Sequence, residues 1–345
     1  MTERNFGVSN VETRNPGQII AQMASGYWLS QALFVAAKLG IADRIGAGGK
    51  SAEELAFETG SHAPSLYRLL RALASVGVFA EDSQGRFQMT PLAQPLREDA
   101  PGSKRAMILM TGGEQFRAWG ELLHSVQTGK TGFEHVFGQP LFNYLSERPE
   151  QAKLFDAAMV SIHGPETAAM LDAYDFAGIE TLADLGGGNG SVLSAVLEKH
   201  GKMRGILYDL PGVADRARER FAATGLADRL QVIGGSFLES VPAGADAYFL
   251  RHIIHDWYDA ECLKILHAIH RVAPPHAKLL VVESVIPPGN EPCFGKLLDL
   301  AMLVIPGGKE RTESEYRELF QQAGFSLQRV IATTAEVSIL EAVKI

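Results

Sequence analysis

One histidine and two glutamates in the C-terminal half of the sequence are placed where acid–base chemistry could occur. His255 comes shortly after the run DAYFLRH and stands beside Asp256, Glu283 closes the run LLVVES, and Glu310 lies in GGKERT. A lone histidine or strand-end acid is more often structural. If the runs are parallel strands of one sheet, however, their carboxyl ends share one rim. The three side chains are therefore predicted to lie together on that rim, within reach of a bound ligand.

A glycine-rich segment after the run TLADL is a second candidate site. Asp184 stands two residues before Gly186, and Gly188 follows in the pattern GGGNGS. Glycines lack the Cβ atom, so a ligand can lie against the backbone, and the helix predicted to follow offers free N–H groups. A nucleoside cofactor fits such a loop, whether it is S-adenosylmethionine (SAM) or a dinucleotide.

Two features beside the loop favour SAM over a nicotinamide dinucleotide. The loop has Ser191 where a dinucleotide fingerprint has its third Gly or Ala. The carboxylate of Asp184 would repel a pyrophosphate but suits the cationic amino-acid part of SAM. Asp209, which is followed by Leu210 at the end of the next predicted strand, suits the ribose hydroxyls of either cofactor.

The elements that must position these residues follow from the hydrophobic pattern. From Glu180 onwards, short β-rich runs alternate with helical stretches, which predicts a doubly wound α/β domain with a parallel sheet. The final run, LQRVIATTAEVSILEAVKI, is typical of two strands joined by a tight connection. We therefore expect an antiparallel hairpin to close the sheet.

The N-terminal pattern is different and predicts helices followed by a hairpin. Apolar residues recur at helical spacing from Ile19 to Ile45, with a break near Gly26 or Gly40. Ser51 begins a capping box, and helix, helix and hairpin over roughly 51–96 is a winged-helix pattern. The predicted segments are 1–102 (helical and winged helix, after a tail of about 15 residues), 103–175 (all-helical, contributing to the pocket) and 176–345 (cofactor-binding).

Composition bounds the class of protein. A length of 345 residues with 46% hydrophobic residues suits two domains with buried cores. The net charge is −8, and 27–100 carries seven Lys and Arg against eight Asp and Glu, which disfavours nucleic-acid binding. Neither a signal peptide nor an apolar run long enough for a membrane span is visible, and there are only two cysteines. We expect a soluble, cytoplasmic protein.

The ordered motifs ADLGGGNGS, YDLPGV, GGSFLESVP, LRHIIHDWYDAECLKIL, LLVVES, DLAML and GGKERTESEYRELFQQAGF closely resemble those of the small-molecule O-methyltransferases. That family includes plant caffeic acid and flavonoid enzymes, acetylserotonin methyltransferase and bacterial polyketide- and phenazine-tailoring enzymes. The resemblance spans nearly the whole chain. It implies a Rossmann-like class I methyltransferase sheet, a homodimer formed through the N-terminal domain, a small hydroxylated aromatic substrate, and SAM converted to S-adenosylhomocysteine.

The resemblance also implies roles for individual residues. His255 is the general base, bracketed by Glu283 and Glu310. Cofactor contacts are expected from Asp184, Gly186, Gly188, Asp209, Leu210, Ser236, Phe237 and Arg251, although the family often has Asp at position 236 and Lys at 251. Substrate contacts are expected from Trp119, Phe155, Met159, Asp256, Asp299 and Met302. No metal ligand is expected, because an imidazole separates the acids near the site.

Three other functions stay open at this point. Some proteins on this scaffold use SAM as a bystander in hydroxylation or decarboxylation, although the intact His255 favours methyl transfer. The remaining alternatives are a nicotinamide dehydrogenase, which the terminal hairpin disfavours, and a winged-helix DNA-binding regulator, which the near-neutral N-terminal region disfavours.

Overall fold

The computed structural model describes residues 15–222 and 224–345, so most of the predicted N-terminal tail lies outside the described residues. The chain divides into two compact units, Met1–Gly113 and Glu114–Ile345. This single division differs from the three predicted segments, because the helices from Glu114 onwards belong to the unit with the large sheet. No helix in the described part of the chain is both long and apolar enough to cross a membrane.

The N-terminal unit is built from helices around a small antiparallel sheet with strand order β1-β3-β2. Its core includes the fully buried side chains of Leu55, Leu70, Phe79 and Phe87. The helices are α1 (Pro16–Ala24), α2 (Gly26–Lys38), α3 (Ile41–Arg44), α4 (Ala52–Thr59), α5 (Ala63–Ser75) and α6 (Arg105–Gly112). The strands are β1 (Lys50–Ser51), β2 (Phe79–Glu81) and β3 (Arg86–Met89), and a 3₁₀ turn spans Pro91–Leu96.

Local sequence signals in this unit are confirmed. The capping box forms, with the Ser51 side chain accepting from Glu54 N and Glu54 Oε2 accepting from Ser51 N. The predicted hairpin forms between β2 and β3, and Gly85 in its turn has a φ of 73°. The break predicted near Gly26 lies at Ser25, between α1 and α2.

The second unit begins with the predicted all-helical stretch. Its helices are α7 (Glu114–Trp119), α8 (Leu122–Thr128), α9 (Gly132–Phe137), α10 (Leu141–Ser146) and the 25-residue α11 (Pro149–Ala173). Ala118, Phe133, Leu141 and Tyr144 bury a separate small core there with Val304 from a later helix. This helical stretch therefore forms a layer with its own hydrophobic contacts.

A seven-stranded sheet with the order β6-β5-β4-β7-β8-β10-β9 forms the centre of the unit. The strands are β4 (Thr181–Leu185), β5 (Arg204–Asp209), β6 (Leu230–Gly234), β7 (Ala247–Arg251), β8 (Lys278–Glu283), β9 (Phe325–Ala332) and β10 (Ser338–Lys344). β10 pairs antiparallel with both β8 and β9, whereas the other pairings are parallel. The predicted parallel sheet with a closing hairpin is confirmed.

Helices cover both faces of this sheet, as a doubly wound fold requires. One face is covered by α12 (Ser191–Lys199) and α13 (Pro211–Phe221) and the other by α14 (Asp259–Val272) and α16 (Glu313–Gln322). The remaining helix, α15 (Phe294–Val304), packs against α7, α8 and α9. Along β4, Ala183 and Leu185 join one core and Leu182 joins the other, because successive side chains of a strand point to opposite faces.

The strand order reverses between β4 and β7. After β4 the chain runs outward to β5 and β6, and it then returns to the other side of β4 to form β7. Ligands of open α/β sheets bind in the crevice at the carboxyl ends of the strands beside such a reversal. The ends of β4, β5 and β7 carry Asp184, Asp209 and Arg251, respectively, so the predicted site residues lie at that crevice.

Candidate active site

Asp184 lies directly beneath the glycine loop that follows β4. A Cβ atom built on Gly187 would lie 2.6 Å from Asp184 Oδ2, and Asp184 is only 3% exposed. Burial raises the pKa of Asp184 to about 7, and its Oδ2 has no hydrogen-bond partner among the described residues. A buried carboxylate oxygen needs a donor. The ammonium group of an amino-acid moiety provides such a donor.

Asp209 connects the glycine loop to the end of β5. Gly188 N donates to Asp209 Oδ2 at 2.8 Å, and Leu210 N donates to Oδ1 at 2.7 Å. Gly188 has a φ of 58°, and a Cβ atom built there would meet nothing within 4 Å. Each carboxylate oxygen can still accept a second hydrogen bond. The loop therefore leaves its backbone open to a ligand, beside a carboxylate that can accept hydrogen bonds from two hydroxyl groups.

Phe237 and Ser236 follow β6 at the same edge of the sheet. A Cβ atom built on Gly186 would lie 3.4 Å from Phe237 Cε1, so the ring adjoins the glycine loop. The Phe237 ring also meets the Trp257 ring edge-on, with 6.1 Å between centroids. The carbonyl oxygen of Ser236 accepts from two later backbone N–H groups and so begins a turn. Adenine contacts of these two residues stay a prediction.

Arg251 forms hydrogen bonds with residues of α11. Its Nη1 donates to Thr167 Oγ1 at 3.2 Å and to the carbonyl oxygen of His163 at 3.3 Å. The same nitrogen lies 4.0 Å from Glu166 Oε2. A cofactor contact of Arg251 stays a prediction, whereas its link between the end of β7 and α11 is a feature that the sequence pattern missed.

His255 and Glu310 form a buried imidazole–carboxylate pair. His255 lies in a 3₁₀ turn, Ile254–Asp256, just after β7, and its Nδ1 is 2.7 Å from Glu310 Oε1. Glu310 lies between α15 and α16, and its backbone N–H donates to Asp299 Oδ1 at 2.8 Å. An Nδ1–H donated to Glu310 leaves Nε2 as the proton acceptor.

Glu283 holds the backbone of the histidine turn. Its Oε1 accepts from the N–H groups of Ile253, Ile254 and His255 at 3.1, 2.9 and 3.3 Å. Its Oε2 lies 3.4 Å from His255 Nδ1. The two glutamates therefore differ in function: Glu310 orients the imidazole ring, and Glu283 fixes the turn that carries it.

The charges around His255 favour its protonated form. Burial alone would lower the pKa of His255, but the nearby carboxylates of Glu283, Glu310 and Asp256 outweigh burial and raise the pKa to about 10. The site therefore stabilises the imidazolium form of His255. Asp256 Oδ1 lies 3.7 Å from His255 Nε2, and burial raises the pKa of Asp256 to about 6.

Arg311 and Gly308 attach the glutamate loop to the histidine turn. The fully buried Arg311 donates through Nη1 to the Ile254 carbonyl oxygen at 3.1 Å and through Nη2 to that of Trp257 at 3.0 Å. It also pairs with Asp259 at 2.8 Å. A Cβ atom built on Gly308 would lie 1.9 Å from the His255 carbonyl oxygen, so only glycine allows this approach. Sequence reasoning missed Arg311, although it follows Glu310 directly.

Aromatic rings lie next to the histidine turn. Phe142 stacks on Trp257 with 6.0 Å between centroids and meets Phe155 edge-on at 6.4 Å. Trp119 and Phe155 are half-buried against the small helical core, and Met159 follows one turn later on α11. These rings suit a planar aromatic ligand.

Asp299 and Met302, both predicted to contact substrate, have structural contacts on α15. The Asp299 carboxylate accepts from Glu310 N, and the Met302 carbonyl oxygen accepts from Gly307 N and Gly308 N. These contacts shape the loop that carries Glu310. Substrate contacts of Asp299 and Met302 stay predictions.

A further cluster that the sequence analysis missed adjoins the base. His252, three residues before His255, has a ring centroid 5.0 Å from that of His255 and 3.8 Å from that of His163 on α11. Burial lowers the pKa of His252 to about 3. His163 and His252 are distant in sequence and lie on different elements, so no local sequence pattern could have predicted their contact.

Together, the open backbone at Gly188, the carboxylates of Asp184 and Asp209 and the buried His255–Glu310 pair match one class of protein, a SAM-dependent methyltransferase. Comparisons with known proteins agree. The family model described as the O-methyltransferase domain matches residues 119–326, and the O-methyltransferase dimerisation domain matches residues 21–99. The chain therefore belongs to the SAM-dependent O-methyltransferases, and SAM is its cofactor.

Similar curated proteins act in the tailoring of natural products. The chain is 48% identical over 324 residues to the phenazine O-methyltransferase of Lysobacter antibioticus, covering 94% of this chain and 95% of that protein. It is 36% identical to the mitomycin biosynthesis 6-O-methyltransferase of Streptomyces lavendulae, with 90% of each chain covered. It is also 35% identical to the aclacinomycin 10-hydroxylase of Streptomyces purpurascens, covering 96% of this chain and 90% of that one.

Solved structures show the same fold. The crystal structure of LaPhzM has a TM-score of 0.92 and 47% identity, covering 96% of this chain and 100% of that chain. NcsB1 from neocarzinostatin biosynthesis, solved with SAM and 2-hydroxy-5-methyl naphthoic acid, has a TM-score of 0.85 and 35% identity, covering 96% and 100%.

Proposed function

We propose that this O-methyltransferase methylates a phenolic hydroxyl group on a planar, fused-ring acceptor of the hydroxyphenazine type, with His255 as the general base. The observation that carries the role of His255 is its buried pair with Glu310, 2.7 Å apart at the carboxyl edge of the sheet. Support for the acceptor class comes from the 48% identity to a phenazine O-methyltransferase and from the rings of Phe142, Phe155 and Trp257.

When bound, SAM supplies a methyl group activated by a sulfonium. Asp184, Asp209 and the open backbone at Gly188 would hold it, because they offer an unpaired buried oxygen, two further acceptor positions and space for a ligand. The chain's own residues must then align the acceptor oxygen and remove its proton. Alignment alone contributes a large part of the rate enhancement in such displacements.

Proton removal falls to His255 Nε2. A phenol has a pKa of about 10, like a tyrosine side chain, so little of it is ionised at neutral pH. The neutral form of His255 accepts the proton at Nε2 while Glu310 holds Nδ1–H, as the carboxylate of a serine-hydrolase triad does. The imidazolium that results lies among the carboxylates of Glu283, Glu310 and Asp256, which stabilise it.

A turnover screen tests the acceptor class. The enzyme is incubated with SAM and hydroxyphenazines, hydroxynaphthoates, hydroxybenzoates or mitomycin-type quinones, and S-adenosylhomocysteine is quantified. We expect the highest kcat/KM on a hydroxyphenazine. A higher value on a single-ring acceptor would contradict the fused-ring proposal. Oxygenated or decarboxylated product without S-adenosylhomocysteine would favour the alternative chemistry suggested by the 10-hydroxylase relative.

Methyl transfer is expected to need no metal ion. The sulfonium already activates the methyl carbon, and the His255–Glu310 pair supplies the base, so a Lewis acid has no step to perform. The test is the rate after dialysis against EDTA and again after addition of Mg²⁺. Unchanged rates are expected, and activity lost with EDTA and restored by Mg²⁺ would contradict the expectation.

The pH profile should follow the proton on His255. Because the site raises the pKa of His255 from 6.5 to about 10, kcat/KM is expected to rise with pH between these values. Glu310→Gln removes one of the groups that raise this pKa, so the rising limb should move to lower pH. An acidic phenol that is already ionised is the control and should show little of the rise. A limb that stays in place in Glu310→Gln would contradict the pairing.

We also propose that the protein is a homodimer formed through α1 and α2. The dimerisation-domain match covers this region, and Ile20, Met23 and Trp28 are 66%, 71% and 66% exposed on these helices. Stable dimer interfaces bury such apolar surface. Light scattering should give twice 37.3 kDa.

Trp28→Asp should lower that mass, whereas Leu123→Asp, on α8, should not, although Leu123 is also exposed (68%). A wild-type mass near 37.3 kDa would contradict the dimer.

A further inference from the structure

Three side chains that can coordinate a metal ion lie close together between α11 and the end of β7. His163 Nδ1 lies 3.2 Å from both carboxylate oxygens of Glu166, and His252 Nε2 lies 2.8 Å from Glu166 Oε2. The two imidazole rings stack at an angle of 28°, and the donor atoms of the three residues lie within 4.8 Å of one another. Two imidazole nitrogens therefore face one carboxylate.

The backbone fixes all three residues before any ligand arrives. His163 and Glu166 are three residues apart on α11, a spacing that places them on one face of the helix. His252 is the only residue other than glycine with a positive φ in the described ranges, at 53°. Such a conformation persists only where the surroundings impose it. Arg251 adds hydrogen bonds from the end of β7 to His163 O and Thr167 on α11.

We propose that His163, Glu166 and His252 bind a divalent transition-metal ion such as Zn²⁺. Two imidazoles and a carboxylate are a recognised donor set for such ions, with bonds of about 2.0–2.2 Å that place tetrahedral ligand atoms about 3.4 Å apart. The observed N–O separations of 2.8 and 3.2 Å need to widen by about 0.6 and 0.2 Å, respectively, to reach this spacing.

The cluster is also accessible to a metal ion. The side chains of His163, Glu166 and His252 keep 13%, 12% and 9% of their surface exposed, so an ion can enter and a water molecule can complete its coordination.

The bound ion is expected to slow methyl transfer, and this second expectation rests on the proposed function. The His252 ring adjoins that of His255, and the backbone turn that follows His252 carries the base. Widening the separation between His252 Nε2 and Glu166 to admit the ion moves His252 and with it that turn. A misplacement of about 1 Å near the chemistry can cost about 100-fold in rate.

Binding is measured first, without SAM or acceptor, so that the result does not depend on catalysis. Tag-free protein is titrated calorimetrically with ZnCl₂ at pH 8, where exposed imidazoles are neutral. A parallel titration with Co²⁺ follows the visible d–d absorption, which reports nitrogen and oxygen coordination. We expect one ion per chain, and affinity at least about 10-fold weaker in His163→Ala, Glu166→Gln and His252→Ala.

Matched controls separate this cluster from other ligands. His276→Ala removes a histidine that is 70% exposed and faces Asp246, and it should leave Zn²⁺ affinity unchanged. His252, His255 and Glu283 form a second set of close ligand atoms. Binding that survives in His163→Ala but is lost in His252→Ala would assign the ion to that second set and overturn the proposal. Wild-type affinity in all three cluster variants would also overturn it, and thermal melts of each variant show that it is folded.

The rate of methyl transfer is then measured with increasing Zn²⁺. An inhibition of at least about 10-fold in wild type that is lost in His163→Ala would support the expected effect on the base. Stoichiometric binding without inhibition would keep the metal site and contradict only its link to catalysis.

Discussion

Replacing His255 by alanine is expected to lower kcat by at least about 100-fold while leaving the Kd for SAM nearly unchanged. Proton transfer by a positioned side chain is typically worth about 10²–10⁴ in rate. His255 is buried, with Nδ1 held by Glu310, so no solvent base can replace it in the same place. Single-turnover rates with a hydroxyphenazine measure the loss, and calorimetry measures SAM binding.

The acidity of the acceptor provides the control. A nitrophenol-type acceptor is already ionised at the assay pH, so His255→Ala should cost it much less. Glu310→Gln and Glu283→Gln should each cost less than His255→Ala, because each leaves the imidazole in place. Near wild-type kcat for His255→Ala on a phenol of ordinary acidity would show that another group removes the proton, or that proximity alone suffices.

Asp209→Ala is expected to weaken SAM binding at least tenfold, and Ser236→Ala only a few-fold. Hydrogen bonds to a charged group are worth about 1.5–3 kcal/mol each, and about 1.4 kcal/mol corresponds to tenfold in Kd. Asp209 also accepts from Gly188 N and Leu210 N, so its loss loosens the glycine loop as well. The side chain of Ser236 is neutral, and its backbone carbonyl oxygen, which begins the turn, remains in the alanine variant.

Calorimetric titration with SAM and with S-adenosylhomocysteine measures both variants. Asp209→Asn keeps the size of the side chain and one acceptor oxygen, but it loses the charge and replaces the other oxygen by a donor, so it should fall between wild type and Asp209→Ala. A larger loss in Ser236→Ala than in Asp209→Ala would reverse the assigned roles of the two loops.

Most of the fold was predictable, because each element carried a local signal. The alternation of β-rich runs with helical stretches predicted the doubly wound sheet, and the run of alternating residues at the C-terminus predicted the β9–β10 hairpin. The capping box at Ser51 and the turn at Gly85 have purely local causes, so both were predicted correctly.

The positions of the candidate site residues that lie at strand ends could be predicted from the sequence. His255 follows β7 and Glu283 is the last residue of the neighbouring strand β8, so their proximity is a consequence of sheet order. The direction in which each side chain points was not predictable. Arg251 binds α11, Asp299 supports Glu310, and Glu283 caps a turn. Each of these contacts depends on a partner distant in sequence.

Arg311 and Gly308 join the histidine turn to the glutamate loop through backbone contacts, whereas the pocket wall formed by Phe142, Phe155 and Met159 reaches that turn through the ring of Trp257. A library that varies only the wall should therefore change acceptor range while each active member keeps the pH profile of the parent. The orientation of the imidazole thus depends on backbone contacts, whereas the shape of the neighbouring pocket depends on side chains that can be exchanged.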